Sequence, residues 1–184
     1  MNEFKDIKTL IVDPAGHSKA QLRKLLAVFG VSQIMATDAT DEALVMLRRE
    51  PFSIVFLDEM AGPLKPLGFL RMLRRDLNTS DVAVPVVLVS TDTDVRNISA
   101  ARDAGMNDVI SKPVNARAVE RKLRSVLEPA KPFVTTKAFV GPDRRSLRDE
   151  RRQFGERPPR EDRRGKKLLA MLGLGPRLDA DKTY

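Results

Sequence analysis

The residues best equipped for chemistry lie in one stretch near the C-terminal end, residues 144–164, RRSLRDERRQFGERPPREDRR. Nine arginines and five carboxylates share those twenty-one positions, and Phe154 is the only large apolar side chain after Leu147. No packed core can be built from that composition. The stretch also repeats. After Arg144, the residues Arg145, Arg148, Asp149, Glu150, Arg151 and Arg152 recur twelve positions later as Arg157, Arg160, Glu161, Asp162, Arg163 and Arg164. Both copies read R-x-x-R-acid-acid-R-R. A solvated charge run needs no register, so a repeat points to a partner with two similar halves. The bland alternative is a disordered basic tail that keeps the chain in solution.

The chemistry of arginine narrows the partner. Its planar fork binds a phosphate or the O6/N7 edge of guanine in bidentate fashion, and its face stacks on bases. Carboxylates repel a polyphosphate backbone, but they accept hydrogen bonds from the N1–H and N2–H₂ edge of guanine. Acids such as Asp149 and Asp162 among the arginines therefore favour a guanine nucleotide over a bare duplex backbone.

A second set of polar residues closes four short apolar runs. Asp13 follows KTLIV at 8–12, Asp58 follows SIVFL at 53–57, Ser90 follows VPVVLV at 84–89, and Lys112 follows DVIS at 108–111. Runs of that length and continuity predict strands covered on both faces, with a fifth, short strand at 32–36. Helical spacing falls between them, at 18–29, 38–49, 66–77, 92–104 and 115–127. Gly30 and Gly105 stand where C-caps are wanted, Pro66 near a first turn, and Asp38 or Thr40 where the second helix needs an N-cap. Strands alternating with helices predict an α/β fold, a doubly wound five-stranded parallel sheet of (βα)5 type. In such sheets ligands bind at the strand carboxyl ends, which puts two carboxylates, a hydroxyl and an ammonium in one crevice. His17, the single histidine, falls near that crevice as a capping or surface residue.

Pro129 ends the last helix. The expected plan is a domain at 1–129, a linker at 130–143, the arginine stretch at 144–165, and a short apolar helix and tail at 166–184. Phe133, Val134, Phe139 and Val140 give the linker apolar residues to pack back with. Charge follows the same division. Residues 130–184 hold fifteen Lys and Arg against eight Asp and Glu, and residues 1–129 hold eighteen against seventeen. The basicity belongs to the tail, and its partner is an anion. The chain has no cysteine, which excludes disulfides and fits the cytosol. No apolar run reaches the roughly 18 residues of a membrane span.

The motifs IVDP, FLD, LVST and SKP together resemble the receiver domain of response regulators, the CheY-like fold, over residues 6–128. The resemblance implies a phosphoacceptor at Asp58, Ser90 and Lys112 on the phosphoryl oxygens, and a histidine kinase as partner. It also implies Mg²⁺ held by adjacent acids after the first strand. Here that pair is Asp13-Pro14. Proline supplies no ligand, so Asp13 and Asp58 remain as a vestigial Mg²⁺ site. The loop after Asp58 departs as well, with Glu59-Met60-Ala61-Gly62, and Val109 stands at the family's aromatic position in the last strand. No other catalytic set is visible, so the chain reads as non-enzymatic.

A receiver followed by GPDRR and an arginine-rich extension is similar to the CheY-like cyclic di-GMP effectors of flagellated alphaproteobacteria, the Cle group. That resemblance implies cyclic di-GMP bound by the arginine stretch, engagement of the flagellar motor switch protein, and recruitment to the flagellated pole. Two copies of the arginine motif match the two halves of a cyclic di-GMP dimer. Two competing readings remain open: an arginine tail that binds RNA or DNA, and a regulator driven by phosphorylation of Asp58.

Overall fold

A computed structural model of the chain describes residues 3–76, 82–92, 94–128, 133–135 and 140–142. Strands and helices alternate: β1 (Lys8–Val12), α1 (Gly16–Val28), β2 (Gln33–Thr37), α2 (Thr40–Arg49), β3 (Ile54–Asp58), α3 (Pro66–Leu73), β4 (Val86–Ser90), α4 (Val95–Asp103), β5 (Asp108–Ser111) and α5 (Ala116–Leu127). The five strands form one parallel sheet in the order β2-β1-β3-β4-β5. This is the doubly wound parallel architecture that the alternation predicts, and it is the CheY-like fold that the resemblance implies.

The period of two along each strand divides the core. Leu10, Val12, Val55 and Leu57 face α2 and α3, where Leu44, Leu47, Phe69, Leu70 and Leu73 meet them. Ile11, Ile54, Phe56, Val87 and Val89 face α1 and α5, against Leu22, Leu26, Val119 and Leu123. Every residue of β3 and β4 is buried, which is why both read as unbroken apolar runs. Strand order reverses between β1 and β3, so the crevice beyond their carboxyl ends is bordered by Asp13 and Asp58.

Several boundaries differ from the sequence expectation, each for a physical reason. Neither Asp38 nor Thr40 caps α2; the N-cap is Ala39 and makes no side-chain bond. The Asp38 carboxylate pairs instead with Lys19. Thr40 is buried, and its hydroxyl accepts the Leu64 N–H at 2.9 Å. The first turn of α4 starts at Val95 rather than 92, because Asp94 accepts the Arg96 N–H at 2.7 Å and caps it.

Helix α3 stops at Leu73, short of the expected 77, because Arg74 turns inward. The residue is 3% exposed. It donates to the carbonyls of Gly105 at 3.0 Å and Val82 at 2.6 Å, and to Asn107 Oδ1 at 2.9 Å.

The linker expected at 130–143 contains structure. β6 (Phe133–Thr135) and β7 (Val140–Pro142) pair antiparallel, with Val134 opposite Gly141. The carbonyl of Val140 lies against the turn before β5. A Cβ on Gly105 would stand 2.7 Å from Arg74 Cγ and 2.9 Å from the Val140 oxygen, and Gly105 has φ +103. Glycine is required there on both counts. One compact unit runs to Asp143, and a second comprises Arg144–Tyr184. The arginine repeat and the apolar segment 166–174 lie outside the described residues. Among the described residues, no helix is long and apolar enough to cross a membrane.

Candidate functional site

The parallel register brings three of the four strand-end residues into direct connection. Asp58 closes β3 and is 2% exposed. Its Oδ1 accepts the Met60 N–H at 2.9 Å. Its Oδ2 meets Lys112 Nζ at 2.5 Å, as an ion pair without an aligned hydrogen bond. Lys112 is fixed by its own backbone, whose N–H donates to the Ser90 carbonyl at 2.9 Å. Lysine at the end of β5 therefore reaches across β4 to neutralise a carboxylate that burial alone would make costly.

Asp13 is buried at the end of β1 but serves its own turn. Oδ1 accepts the Ala15 N–H at 2.7 Å, and Oδ2 accepts the Ser18 hydroxyl. Pro14 and His17 are exposed beside it. His17 is the second residue of α1, whose N-cap, Ala15, makes no side-chain bond; the histidine is a surface residue.

The side chain that sequence reasoning passed over is Glu59. The β3–β4 register pairs Asp58 with Val89, and the Glu59 N–H extends that ladder to the Val89 carbonyl at 3.1 Å. Its carboxylate then lies across the end of β4. Oε2 accepts the Ser90 hydroxyl. Oε1 accepts the Thr91 N–H at 2.8 Å and the Thr91 hydroxyl at 2.7 Å. The Asp92 N–H approaches Oε2 at 3.5 Å. Nothing in the chain's periodicity marks this contact.

Partial burial would raise the pKa of Glu59. The bonds from Ser90, the Thr91 backbone and hydroxyl and the Asp92 backbone outweigh it and lower the value from 4.5 to about 2. The folded state thus keeps a carboxylate charged where the unfolded chain protonates it. The stabilisation is complete above about pH 4.5 and is lost as pH falls through about 2. Glu59 is only partly buried, so solvent screens it and its worth is on the order of 1 kcal/mol or less. Urea unfolding of the wild type and of Glu59→Gln is expected to show a stability difference that shrinks across that window. A difference independent of pH would remove Glu59 from this role.

The arrangement fits a strong Mg²⁺ site poorly. Among the described residues, no group of three or more His, Cys, Asp or Glu side chains could hold a metal. Both oxygens of Asp13 are engaged by Ala15 and Ser18, and Asp58 is neutralised by Lys112. Where the crevice would take a further acidic ligand, Pro14 offers none. A groove of about 390 Å³ lined by Arg48, Arg71, Met72, Arg75 and Asp76 lies elsewhere, at the carboxyl ends of α2 and α3. Those helices run against the strands, so it opens at the opposite end of the sheet, away from the strand carboxyl end that carries Asp58.

The chain is similar to known proteins in sequence and in fold. The chain is 32% identical over 120 residues to a probable transcriptional regulator, ycf27, of Porphyridium aerugineum, covering 65% of this chain and 48% of that protein. It is 30% identical over 128 residues to the probable transcriptional regulator ycf27 of Porphyra purpurea, covering 70% and 50%. The chain thus spans about half the length of the curated relatives it matches. Among solved structures, it superposes on the receiver domain of a sensor histidine kinase from Pseudomonas aeruginosa, which holds a magnesium ion in its cleft. The TM-score is 0.60 at 17% identity, covering 67% of this chain and 98% of that one. The chemotaxis protein CheY4 of Vibrio cholerae gives a TM-score of 0.59 at 18% identity, covering 65% and 98%. These last two likenesses speak to the fold alone. The response regulator receiver domain model matches residues 9–124, and with Asp58, Ser90 and Lys112 joined at the strand ends as described, the chain belongs to the response regulator receiver domain family.

Proposed function

We propose that this receiver is a non-enzymatic, cytoplasmic signalling effector whose input is cyclic di-GMP, bound as a dimer by the arginine stretch at 144–165. The liganded chain then engages the flagellar motor switch protein at the flagellated pole. The observation that carries the reading is the doubled R-x-x-R-acid-acid-R-R motif, which offers two equivalent sets of guanidinium forks and carboxylates to two guanines. The crevice supports it from the other side. Asp13, Asp58, Ser90 and Lys112 already have partners within the chain, so a signal entering there must first break them. Ordering the tail costs entropy, which stacking and bidentate contacts offset.

The test is a titration of the full chain with cyclic di-GMP, followed by circular dichroism in the guanine absorption band. The expected result is an induced signal that saturates at two ligands per chain. Absence of a signal at micromolar ligand would sink the reading. Binding of an unrelated oligonucleotide with a steep salt slope, and with no preference for cyclic di-GMP, would point to a nucleic-acid tail instead.

One contact favours a second reading. The buried Asp58–Lys112 pair keeps the acceptor and cation that an acyl phosphate on Asp58 would use, with a histidine kinase as donor. In that case Asp58→Asn abolishes output while cyclic di-GMP leaves the chain unchanged.

A further inference from the structure

The groove at the carboxyl ends of α2 and α3 has no part in the strand-end crevice. Its walls are Arg48 from α2, and Arg71, Met72, Arg75 and Asp76 from the end of α3 and the turn after it. Three guanidiniums stand there against one carboxylate, and that carboxylate is already matched: Arg48 Nε donates to Asp76 Oδ2 at 2.6 Å. Among the described residues, no ion pair engages Arg71 or Arg75. Both are exposed, and Met72, between them in the chain, is 46% exposed. Val45, one turn before Arg48 on the same side of α2, is 41% exposed. We infer that this groove docks an acidic amphipathic segment of a partner protein. The segment sets an apolar side chain against Met72 and carboxylates against Arg71 and Arg75.

The walls are held in place from behind. Leu44 and Leu47 of α2 and Leu70 and Leu73 of α3 are buried together in one core cluster. Arg74 ties the end of α3 to Val82, Gly105 and Asn107. The backbone keeps turning past Leu73, with the Arg75 N–H on the Met72 carbonyl at 3.1 Å. Arg71 and Arg75, four residues apart, therefore line one groove. Walls that are already in place lose little entropy on binding.

The lining favours a peptide over a nucleic acid. Among the described residues, no aromatic side chain lines the groove, so bases would find no stacking platform there. Asp76 and the carbonyl ends of α2 and α3 add negative charge at the same place, which opposes a dense chain of phosphates. A protein segment carries sparser charge and brings apolar side chains as well. The flexible thioether of Met72 adapts to such partners. Two carboxylates one helical turn apart on the partner match the spacing of Arg71 and Arg75.

The test is ¹⁵N–¹H NMR of the full chain titrated with a designed peptide of about sixteen residues, long enough to form a helix, built from glutamate and alanine around one central leucine. Readout by residue is essential, because the arginine stretch also attracts acids. The Arg71, Met72, Arg75 and Asp76 amides are expected to shift together and saturably. Arg71→Ala with Arg75→Ala is expected to weaken that binding about tenfold, as two ion pairs at an exposed surface require. Met72→Ser leaves every charge in place and is expected to weaken it about threefold, from lost apolar contact. All three side chains are exposed, so the variants keep the fold. Amides that ignore the peptide at about 1 mM, a weak limit for a specific contact, would overturn the inference. So would variants that bind as tightly as the wild type. A single-stranded oligonucleotide that moves the same amides at lower concentration than the peptide would overturn it in favour of a nucleic acid. These signals come from the receiver, so their failure leaves the cyclic di-GMP reading untouched.

Discussion

Alanine at Arg148 and Arg160 together is expected to weaken cyclic di-GMP binding at least about thirtyfold, as two lost guanine contacts each worth roughly 1–3 kcal/mol require. The two residues hold the same place in the two copies of the repeat, ahead of Asp149-Glu150 and Glu161-Asp162. If each copy serves one half of a twofold ligand, neither arginine can cover for the loss of the other. Calorimetry on the full chain measures the change directly. The lysine pair, Arg148→Lys with Arg160→Lys, separates charge from shape. Lysine keeps the positive charge but lacks the planar fork, so it is expected to recover only a small part of the loss. Full recovery by lysine would mean that the tail senses charge alone, as a nucleic-acid backbone binder does. Unchanged affinity in the alanine pair would move the ligand away from the repeat.

The second large effect concerns folding. Arg74→Ala is expected to destabilise the receiver by about 3 kcal/mol, because buried acceptors left unpaired cost roughly 1–3 kcal/mol each. The guanidinium ties the end of α3 to Val82 before β4 and to Gly105 and Asn107 before β5. The Asn107 side chain is itself part of the tie, since its Oδ1 also accepts the Val86 N–H at 3.0 Å. Removing Arg74 therefore strips the Gly105 and Val82 carbonyls and loosens the entry to β4. It also removes the stem against which Gly105 packs, 2.7 Å from where a Cβ would stand. In thermal unfolding the loss corresponds to roughly 10 °C for a domain of this size. Arg74→Lys can renew at most part of the fork and is expected to fall between the two. A urea-unfolding difference below about 1 kcal/mol, the size of an ordinary surface substitution, would show that water replaces the guanidinium without penalty.

Both predictions concern arginine, yet only the arginines of the tail are legible in the chain. The tail's arginines stand out because a repeat and a composition are visible in one dimension. Arg74 sits within a run of ordinary helical composition, which by itself predicts one more turn of α3. Its role depends on Gly105, thirty-one residues away. The early end of the helix follows from that distant set of acceptors, which overrides local propensity. The strand pair within the linker is hidden from the chain for a related reason. Residues 130–143 carry Pro132, Gly141 and Pro142, which speak for a connection, while the pairing of β6 with β7 gains from a receiver surface that the local pattern does not contain.

The four strand-end residues show where legibility stops within the site itself. That Asp13, Asp58, Ser90 and Lys112 close four strands could be read from apolar runs and their polar ends, because a buried parallel strand leaves that local signature. That Asp58 pairs with Lys112, that Asp13 turns to Ser18, and that Glu59 holds Ser90 could not.

Element type, element order and the doubled arginine motif thus belong to the chain read in one dimension, since periodicities of two and 3.6 residues and local composition are short-range properties. The partners of each charged group belong to the folded molecule. Glu59 and Ser90 stand thirty-one residues apart and meet only because β3 and β4 pair in parallel with Asp58 opposite Val89. Such a contact is set by register across a sheet. A shift of one residue would turn Glu59 to the other face and break its bonds to Ser90 and Thr91.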